Sequence, residues 1–417
     1  MIKFHFSPIL PDLAAPKAEK LKAFEELMAK PEIGFFRLPT RLDLVQETKS
    51  AYQKFSHKKV FIHVGIGGSS LGPEMIVSAL GNPLKDIRFL NNIDPDSIFK
   101  QLKGLDPKDA VFFVVSKSGA TAETLASFAL LCDWLAQHGI GEDRLKEFFI
   151  FATDPVKGEL RELAKHYSIT ALEIPPNIGG RFSVLTAVGM LPALFADIKI
   201  EQLLGGAAKM AQEISEKKEN HPLWTMAEQI FFQFQHNQID ETVVMPYTSS
   251  LKDFSAWFVQ LWAESLGKKH NLAGEIVHTG LTPIAAYGAT DQHSQMQLFM
   301  HGPLNKFLFL IEVAKFKNDY SLKSSFKSPL LKKLAPFTLS ELLKAELYGT
   351  IRALEKEKRP CVHLVLPELS ETQLGGLILF FEALTALMGQ YLEVDPFDQP
   401  GVEDGKRFAF EWLERQV

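Results

Sequence analysis

The sequence predicts an α/β protein made of two units, each organised around a mainly parallel sheet, and three observations lead there. From residue 58 onward, short apolar, β-branched or aromatic runs alternate with longer segments of helical period, the pattern of successive βαβ units. The alternation pauses over residues 183–237, which read as consecutive helices, and then resumes, implying a second and smaller unit. With 417 residues, the chain also exceeds what one hydrophobic core usually serves.

In order, the first unit should hold strands at 60–64, 87–91, 110–115, 148–152 and 169–174, with helices between them such as 121–138, whose apolar positions recur at helical spacing. The second should hold strands near 242–245, 307–313 and 362–366, with helices at 252–267 and 341–358. A terminal helix follows at 401–416. No Pro/Gly/Ser-rich linker separates the units, so the boundary falls near residue 215, between Gly205-Gly206 and the charged stretch 213–220. This gives an N-terminal segment 1–45, units at 46–215 and 216–392, and a C-terminal loop and helix at 393–417.

Composition narrows the function classes. Hydrophobic residues at 46% and charged residues at 23% exclude wholesale disorder and fibrous repeats. A net charge of -5 argues against a nucleic-acid or anionic-membrane partner while leaving room for a local anion site. Cys132 and Cys361 are the only cysteines, too few for a disulfide framework or a cysteine-rich metal site, and both are expected to be core thiols in a reducing cytosol. The first 12 residues lack the apolar run and cleavage site of a secretion signal. Even the most apolar stretch, 374–392, contains Glu382, Thr385 and Gln390, so a soluble cytoplasmic protein is expected.

Several loops carry chemistry. Gly65-Ile66-Gly67-Gly68-Ser69-Ser70-Leu71-Gly72 follows a predicted strand and opens a helix with Pro73 in its first turn, so backbone N–H groups and a helix dipole would face an anion. A nicotinamide fingerprint would need a third glycine where Ser70 stands and a ribose acid where Asn91 and Asn92 stand. A structural tight turn is the bland alternative. The next strand ends in Ser116-Lys117-Ser118-Gly119-Ala120-Thr121, whose hydroxyls, lysine and helix N–H groups suit a phosphate monoester. Ordinary N-capping by Ser118 or Thr121 would account for one of those hydroxyls.

Arg181, in Asn177-Ile178-Gly179-Gly180-Arg181-Phe182-Ser183, could stabilise a developing oxyanion without giving up its proton, or could simply form a salt bridge. Gln260 and Glu264 lie four residues apart and share a helix face. Apolar neighbours would make Glu264 a stronger base once substrate closes the site, against the alternative of a solvated carboxylate. His293 precedes a helix at 295–301 expected to be capped by Thr290 or Asp291, and its ordinary pKa suits proton exchange, with His301 as a rival. Lys406 follows a rigid polar loop, where an ordinary helix lysine would be solvated.

These segments together resemble the phosphoglucose isomerase family. The resemblance rests on Asn177 to Ser183 continuing through Gly189, on Glu264-Ser265-Leu266-Gly267-Lys268, and on Phe397-Asp398-Gln399-Pro400-Gly401-Val402-Glu403-Asp404-Gly405-Lys406, all in the family's order. It implies two sugar-isomerase-type (SIS) domains, doubly wound α/β/α sandwiches, and the interconversion of glucose 6-phosphate and fructose 6-phosphate in glycolysis and gluconeogenesis. It further implies that His293 and Lys406 assist ring opening, that Glu264 moves a proton through a cis-enediol, and that Arg181 stabilises the enediolate. Ser116, Lys117, Ser118 and Thr121 would hold the phosphate with Gln260 and Gln399, while Gly68 and Ser69 line the sugar side. No metal or nicotinamide is implied, and a homodimer is, with His293 reaching the neighbouring subunit's site. Alternatives are a dual phosphoglucose/phosphomannose isomerase, a noncatalytic sugar-phosphate regulator and a nicotinamide oxidoreductase. Lys268, Asp291 and His301 are read as structural or supporting groups.

Overall fold

The computed structural model describes residues 2–7, 18–323 and 327–415; the parts of the expected N-terminal segment and terminal helix at 8–17 and 416–417 lie outside these. In chain order the strands are β1 Lys3–Ser7, β2 Val60–Val64, β3 Asp86–Leu90, β4 Ala110–Val115, β5 Phe149–Thr153, β6 Thr170–Glu173, β7 Glu241–Pro246, β8 Lys268–His270, β9 Ile276–Thr279, β10 Thr282–Ala285, β11 Lys306–Lys315 and β12 Cys361–Glu368. They form a parallel sheet ordered β3-β2-β4-β5-β6 and a second ordered β1-β12-β11-β7-β10, parallel except for β1, with β8 and β9 as a separate antiparallel pair. Every residue of β2 and β4 is buried, as expected of central parallel strands covered by helices on both faces.

Both sheets reverse direction at one point. The strand that follows β2 in sequence, β3, lies on one side of it and β4 lies on the other; β10 and β11 flank β7 in the same way. In open α/β sheets such a reversal opens a crevice at the strands' carboxyl ends, where ligands bind. In the first sheet Val64 pairs with Val114, so the loops beginning at Gly65 and Ser116 leave side by side.

Two expectations change. The second sheet has as many strands as the first, so it is not the smaller of the two. The N-terminal segment is not separate from it: β1 pairs antiparallel with β12, Lys3 opposite Val365, and forms the sheet's edge. The helix Ile200–Lys217, near whose end the boundary was expected, packs backbone to backbone on the helix Glu371–Tyr391. A Cβ on Gly206 would lie 1.9 Å from the Thr372 carbonyl oxygen, and one on Gly375 1.8 Å from that of Leu203. Only glycine permits this approach. The helix Glu371–Tyr391 is long and apolar enough to cross a membrane, yet it is a core helix, and one apolar cluster runs through it from Ile2 and Phe24 to Phe254 and Phe381. Within it Glu382 is wholly buried with neither carboxylate oxygen partnered, and burial holds its pKa well above the usual range. Burial also pushes the thiols of Cys132 and Cys361 up to about 12; Cys361 is a core residue as expected, whereas Cys132 is only partly buried and packs against the core.

Candidate active site

The glycine-rich loop turns at Gly67–Ser69 and feeds the helix Leu71–Leu80. Gly67 has φ +60, a left-handed conformation, and a Cβ there would sit 3.0 Å from Gln260 Nε2. A Cβ on Gly68 would lie 2.6 Å from the Gly180 carbonyl and 3.0 Å from Arg181 N. The loop thus lies directly against the backbone that carries Arg181. Beneath it, His63 is wholly buried and meets the Ser69 carbonyl at 2.5 Å through Nε2, while Nδ1 has no partner. Burial lowers its pKa to about 4, so the ring is neutral near pH 7, and its contact with a carbonyl requires the proton on Nε2.

The hydroxyl loop is more than a cap. Thr121 occupies the N-cap position of the helix Ala122–Gln137, but its side chain does not cap it; Thr121 Oγ1 lies 2.8 Å from Ser116 Oγ instead. Ser118 Oγ is 3.5 Å from Ser116 Oγ and accepts from Ala120 N at 3.2 Å. Three hydroxyls therefore cluster at a helix N-terminus, where the dipole favours an anion. Lys117 does not join them: its ammonium donates to the Pro176 carbonyl at 2.9 Å, and burial lowers its pKa. It ties the hydroxyl loop to the segment leading into Arg181.

Arg181 is the centre of the site. Its side chain is 4% exposed, and all five guanidinium N–H groups find acceptors. Nε donates to Ser265 Oγ at 3.0 Å. Nη1 donates to Glu264 Oε2 at 2.9 Å and to Gln399 Oε1. Nη2 donates to the carbonyls of Pro396 at 2.9 Å and Asp398 at 3.1 Å. The other Glu264 oxygen accepts from Gln260 Nε2 at 3.0 Å, so the one-turn spacing of these residues on the helix Lys252–Leu266 has the effect the sequence implies. With 31% of its side chain exposed, Glu264 remains reachable. The carboxylate can take and return a proton while a fixed cation beside it holds negative charge that develops on a bound oxygen.

Three supporting residues escaped sequence reasoning as site members, Ser265, Pro396 and Asp398, and Lys268, read from the sequence as a structural or supporting group, joins them. The Lys268 ammonium, on a side chain 6% exposed, meets the Asp398 carbonyl oxygen at 2.5 Å and Oδ1 at 2.6 Å. Two buried cations, Arg181 and Lys268, thus grip the loop that presents Gln399. The signal was present in the Glu-Ser-x-Gly-Lys and Phe-Asp-Gln motifs, but a lysine's partner 130 positions away cannot be read from spacing.

Two expected site residues stand apart within the single chain. His293 is exposed on the turn Thr290–His293 and has no hydrogen bond to Glu264 or Arg181. The helix that follows spans Met296–His301 and starts from Gln295; Asp291 does not cap it but accepts from Tyr287 N at 2.8 Å and Ser294 Oγ at 2.5 Å. Although burial opposes it, these donors hold the Asp291 carboxyl below its usual range. Lys406 pairs with Glu403 at 2.8 Å on the helix Glu403–Glu414, none of whose residues is buried and which exposes Phe408, Phe410, Trp412 and Leu413. Among the described residues, no group of three or more His, Cys, Asp and Glu side chains could hold a metal ion.

Comparison with known proteins points one way. The sequence profile of the family described as phosphoglucose isomerase matches residues 43–416. A glucose-6-phosphate isomerase from Carboxydothermus hydrogenoformans is 40% identical over 95% of this chain and 88% of its own length, and one from Thermus thermophilus 36% identical over 90% and 88%. Among solved structures, a hypothetical protein from Thermus thermophilus superposes with a TM-score of 0.91 at 33% identity, covering 99% of this chain and all of its own. A glucose-6-phosphate isomerase from Chlamydia trachomatis shares the fold at 23% identity with a TM-score of 0.82, covering 95% of this chain and 84% of its own.

Proposed function

This chain belongs to the phosphoglucose isomerase family, which makes it an aldose–ketose isomerase acting on glucose 6-phosphate and fructose 6-phosphate, and we propose that its chemistry centres on Glu264 and Arg181. Glu264 removes the C2 proton of the open-chain aldose. The C2–H electron pair forms the C1–C2 double bond of a cis-enediol(ate), whose oxygen charge faces the Arg181 guanidinium, and the same carboxyl returns the proton to C1. The C1 carbonyl pair moves onto O1, which takes up a proton, and the O2 hydroxyl gives one up as C2=O forms, so the oxidation levels of C1 and C2 exchange internally and the balance closes without an external oxidant. The Ser116, Ser118 and Thr121 hydroxyls hold the phosphate at the helix N-terminus, Gln260 and Gln399 add neutral contacts, and Gly68 and Ser69 line the sugar. Lys117 acts by tethering that loop. The observation that carries this reading is the pair of bonds on Glu264, one oxygen to Arg181 Nη1 at 2.9 Å and the other to Gln260 Nε2 at 3.0 Å. A coupled assay with fructose 6-phosphate tests it, and absence of turnover by folded protein would overturn it.

Ring opening falls to His293 and Lys406 in a shared site. His293 is exposed, and Lys406 rides on a helix with an uncovered apolar face, as expected of groups that act across a homodimer interface. Mixing inactive His293→Ala and Glu264→Gln chains tests the arrangement: hybrids in which each chain supplies what the other lacks should regain activity, and if no mixture does, His293 works within its own chain. The enzyme would act in the cytoplasm, in glycolysis and gluconeogenesis.

A further inference from the structure

The carboxyl edge of the second sheet repeats the topology of the first. After β7 the chain runs through Thr248, Ser249 and Ser250 into the 15-residue helix Lys252–Leu266, as the hydroxyl loop of the first sheet runs into its own helix. Because β10 and β11 flank β7, the reversal of strand order falls between the carboxyl ends of β7 and β11. A cavity of about 220 Å³ opens there, lined by Thr248 and Ser250 from the first of these ends and by Lys315 and Lys317 from the second.

The side chains in this cavity are uncommitted. Thr248 is 5% exposed, lines the cavity, and makes no side-chain hydrogen bond among the described residues. The residue is nine-tenths buried while its hydroxyl is not among the sealed, unpartnered polar atoms, so the hydroxyl is available to a group entering the cavity. Lys315 and Lys317 are exposed and form no ion pair among the described residues, although Glu368 stands opposite Lys315 in the ladder. The nearby acids are engaged elsewhere: Asp319 binds Ser340 and the backbone N–H of Tyr320, and Glu312 binds His363 and Lys344 on its own sheet. Two free ammonium groups and the hydroxyls of Thr248 and Ser250 share one concavity, and their common complement is a phosphate dianion.

We propose that the crevice between the carboxyl ends of β7 and β11 is a second phosphate-binding site, held by Thr248, Ser250, Lys315 and Lys317 and separate from the catalytic one. A free phosphate or a phosphate ester would satisfy the same groups. Equilibrium dialysis of the full-length protein with labelled orthophosphate counts the sites. Two phosphates per chain are expected. Lys315→Gln with Lys317→Gln, both exposed positions, should weaken one of them about tenfold or more while leaving isomerase kcat/KM within about twofold, and Thr248→Val should weaken the same one. Ser116→Ala with Thr121→Val should remove the other, so failure of the catalytic phosphate loop and failure of this site give different patterns. Sorbitol 6-phosphate as competitor separates the sources: if it displaces both phosphates the second site takes the ester, and if it displaces one the second site takes the free anion. One phosphate per chain that Ser116→Ala with Thr121→Val removes, or two that the lysine changes leave untouched, would overturn the proposal.

Discussion

The two sheets share their strand order around β2 and β7, differ at the edge where β1 runs antiparallel, and differ in what they bring to the site. On the proposed reading the first contributes recognition: its strand ends carry the glycine-rich loop and the clustered hydroxyls of Ser116, Ser118 and Thr121. The second would contribute the proposed base, not from its strand ends but from the far end of the helix that follows β7, where Glu264 meets Arg181. Glycine makes the difference. The first loop carries Gly67 and Gly68, which let it lie against Gln260 and the Gly180–Arg181 backbone; the turn after β7 has no glycine and instead buries Tyr247, whose hydroxyl donates to Thr350 at 2.9 Å. A fold that presents two equivalent crevices can thus place its chemistry where the units meet, using one crevice as the anchor.

Substitutions that separate holding from turnover sharpen this division. Glu264→Gln should lower kcat by about 10²- to 10⁴-fold, the range of a positioned acid–base group, while a sugar-phosphate inhibitor still binds within a few-fold by calorimetry; loss of both together would break the division. Arg181→Ala should cost about 10²- to 10³-fold in kcat by the same assay, as for loss of one oxyanion donor, and should also loosen the 396–399 loop, read as faster proteolysis there. Ser116→Ala with Thr121→Val should act mainly on KM, about 10- to 100-fold, because hydrogen bonds to a charged phosphate contribute about 1.5–3 kcal/mol. If kcat fell as far as KM rose, the hydroxyl loop would be doing more than anchoring.

The smallest effects concern buried ionisable groups, in which the units also differ. The second unit pairs its buried His363 with Glu312 at 2.8 Å, whereas His63 under the first loop has only the Ser69 carbonyl. Burial depresses His63 from 6.5 to about 4, so the unfolded chain binds its proton first, and stability falls as pH drops from about 6.5 towards 4. His63→Gln should flatten the melting temperature against pH in that window; an unchanged slope would assign the acid sensitivity elsewhere. Glu382 has the opposite sign. Its raised pKa contributes stability that is complete below about 4.5 and is lost as pH rises, so Glu382→Gln should raise the melting temperature near pH 8 and leave it unchanged at pH 4.

Much of this was legible in the sequence because it is local. The strands β2, β4 and β5 fall within a residue of their expected positions, since buried parallel strands read as continuous apolar runs bounded by turns. The loops at 65–70, 116–121 and 177–183 could be found from glycine and hydroxyl content. What escaped was non-local. β1 is five residues with an exposed lysine at its start and has meaning only beside β12. β10, four residues at a sheet edge, alternates too briefly to register. Thr121 looked like a helix cap until Ser116 claimed its hydroxyl. Lys406 could be singled out by its motif, but nothing in the sequence says that its helix lies uncovered in one chain.

The edge strand β1 has a consequence for how the protein is made. On the ribosome its residues emerge before every other strand of its sheet, while the strand it must pair with, β12, is the last of them to be made. Until then the opening segment has no ladder to join, and when β12 appears without it, that strand offers an open row of N–H and C=O groups to any passing chain. Closure of the second sheet therefore waits for β12, and deleting β1 should show first as aggregation of newly made protein rather than as a slower enzyme.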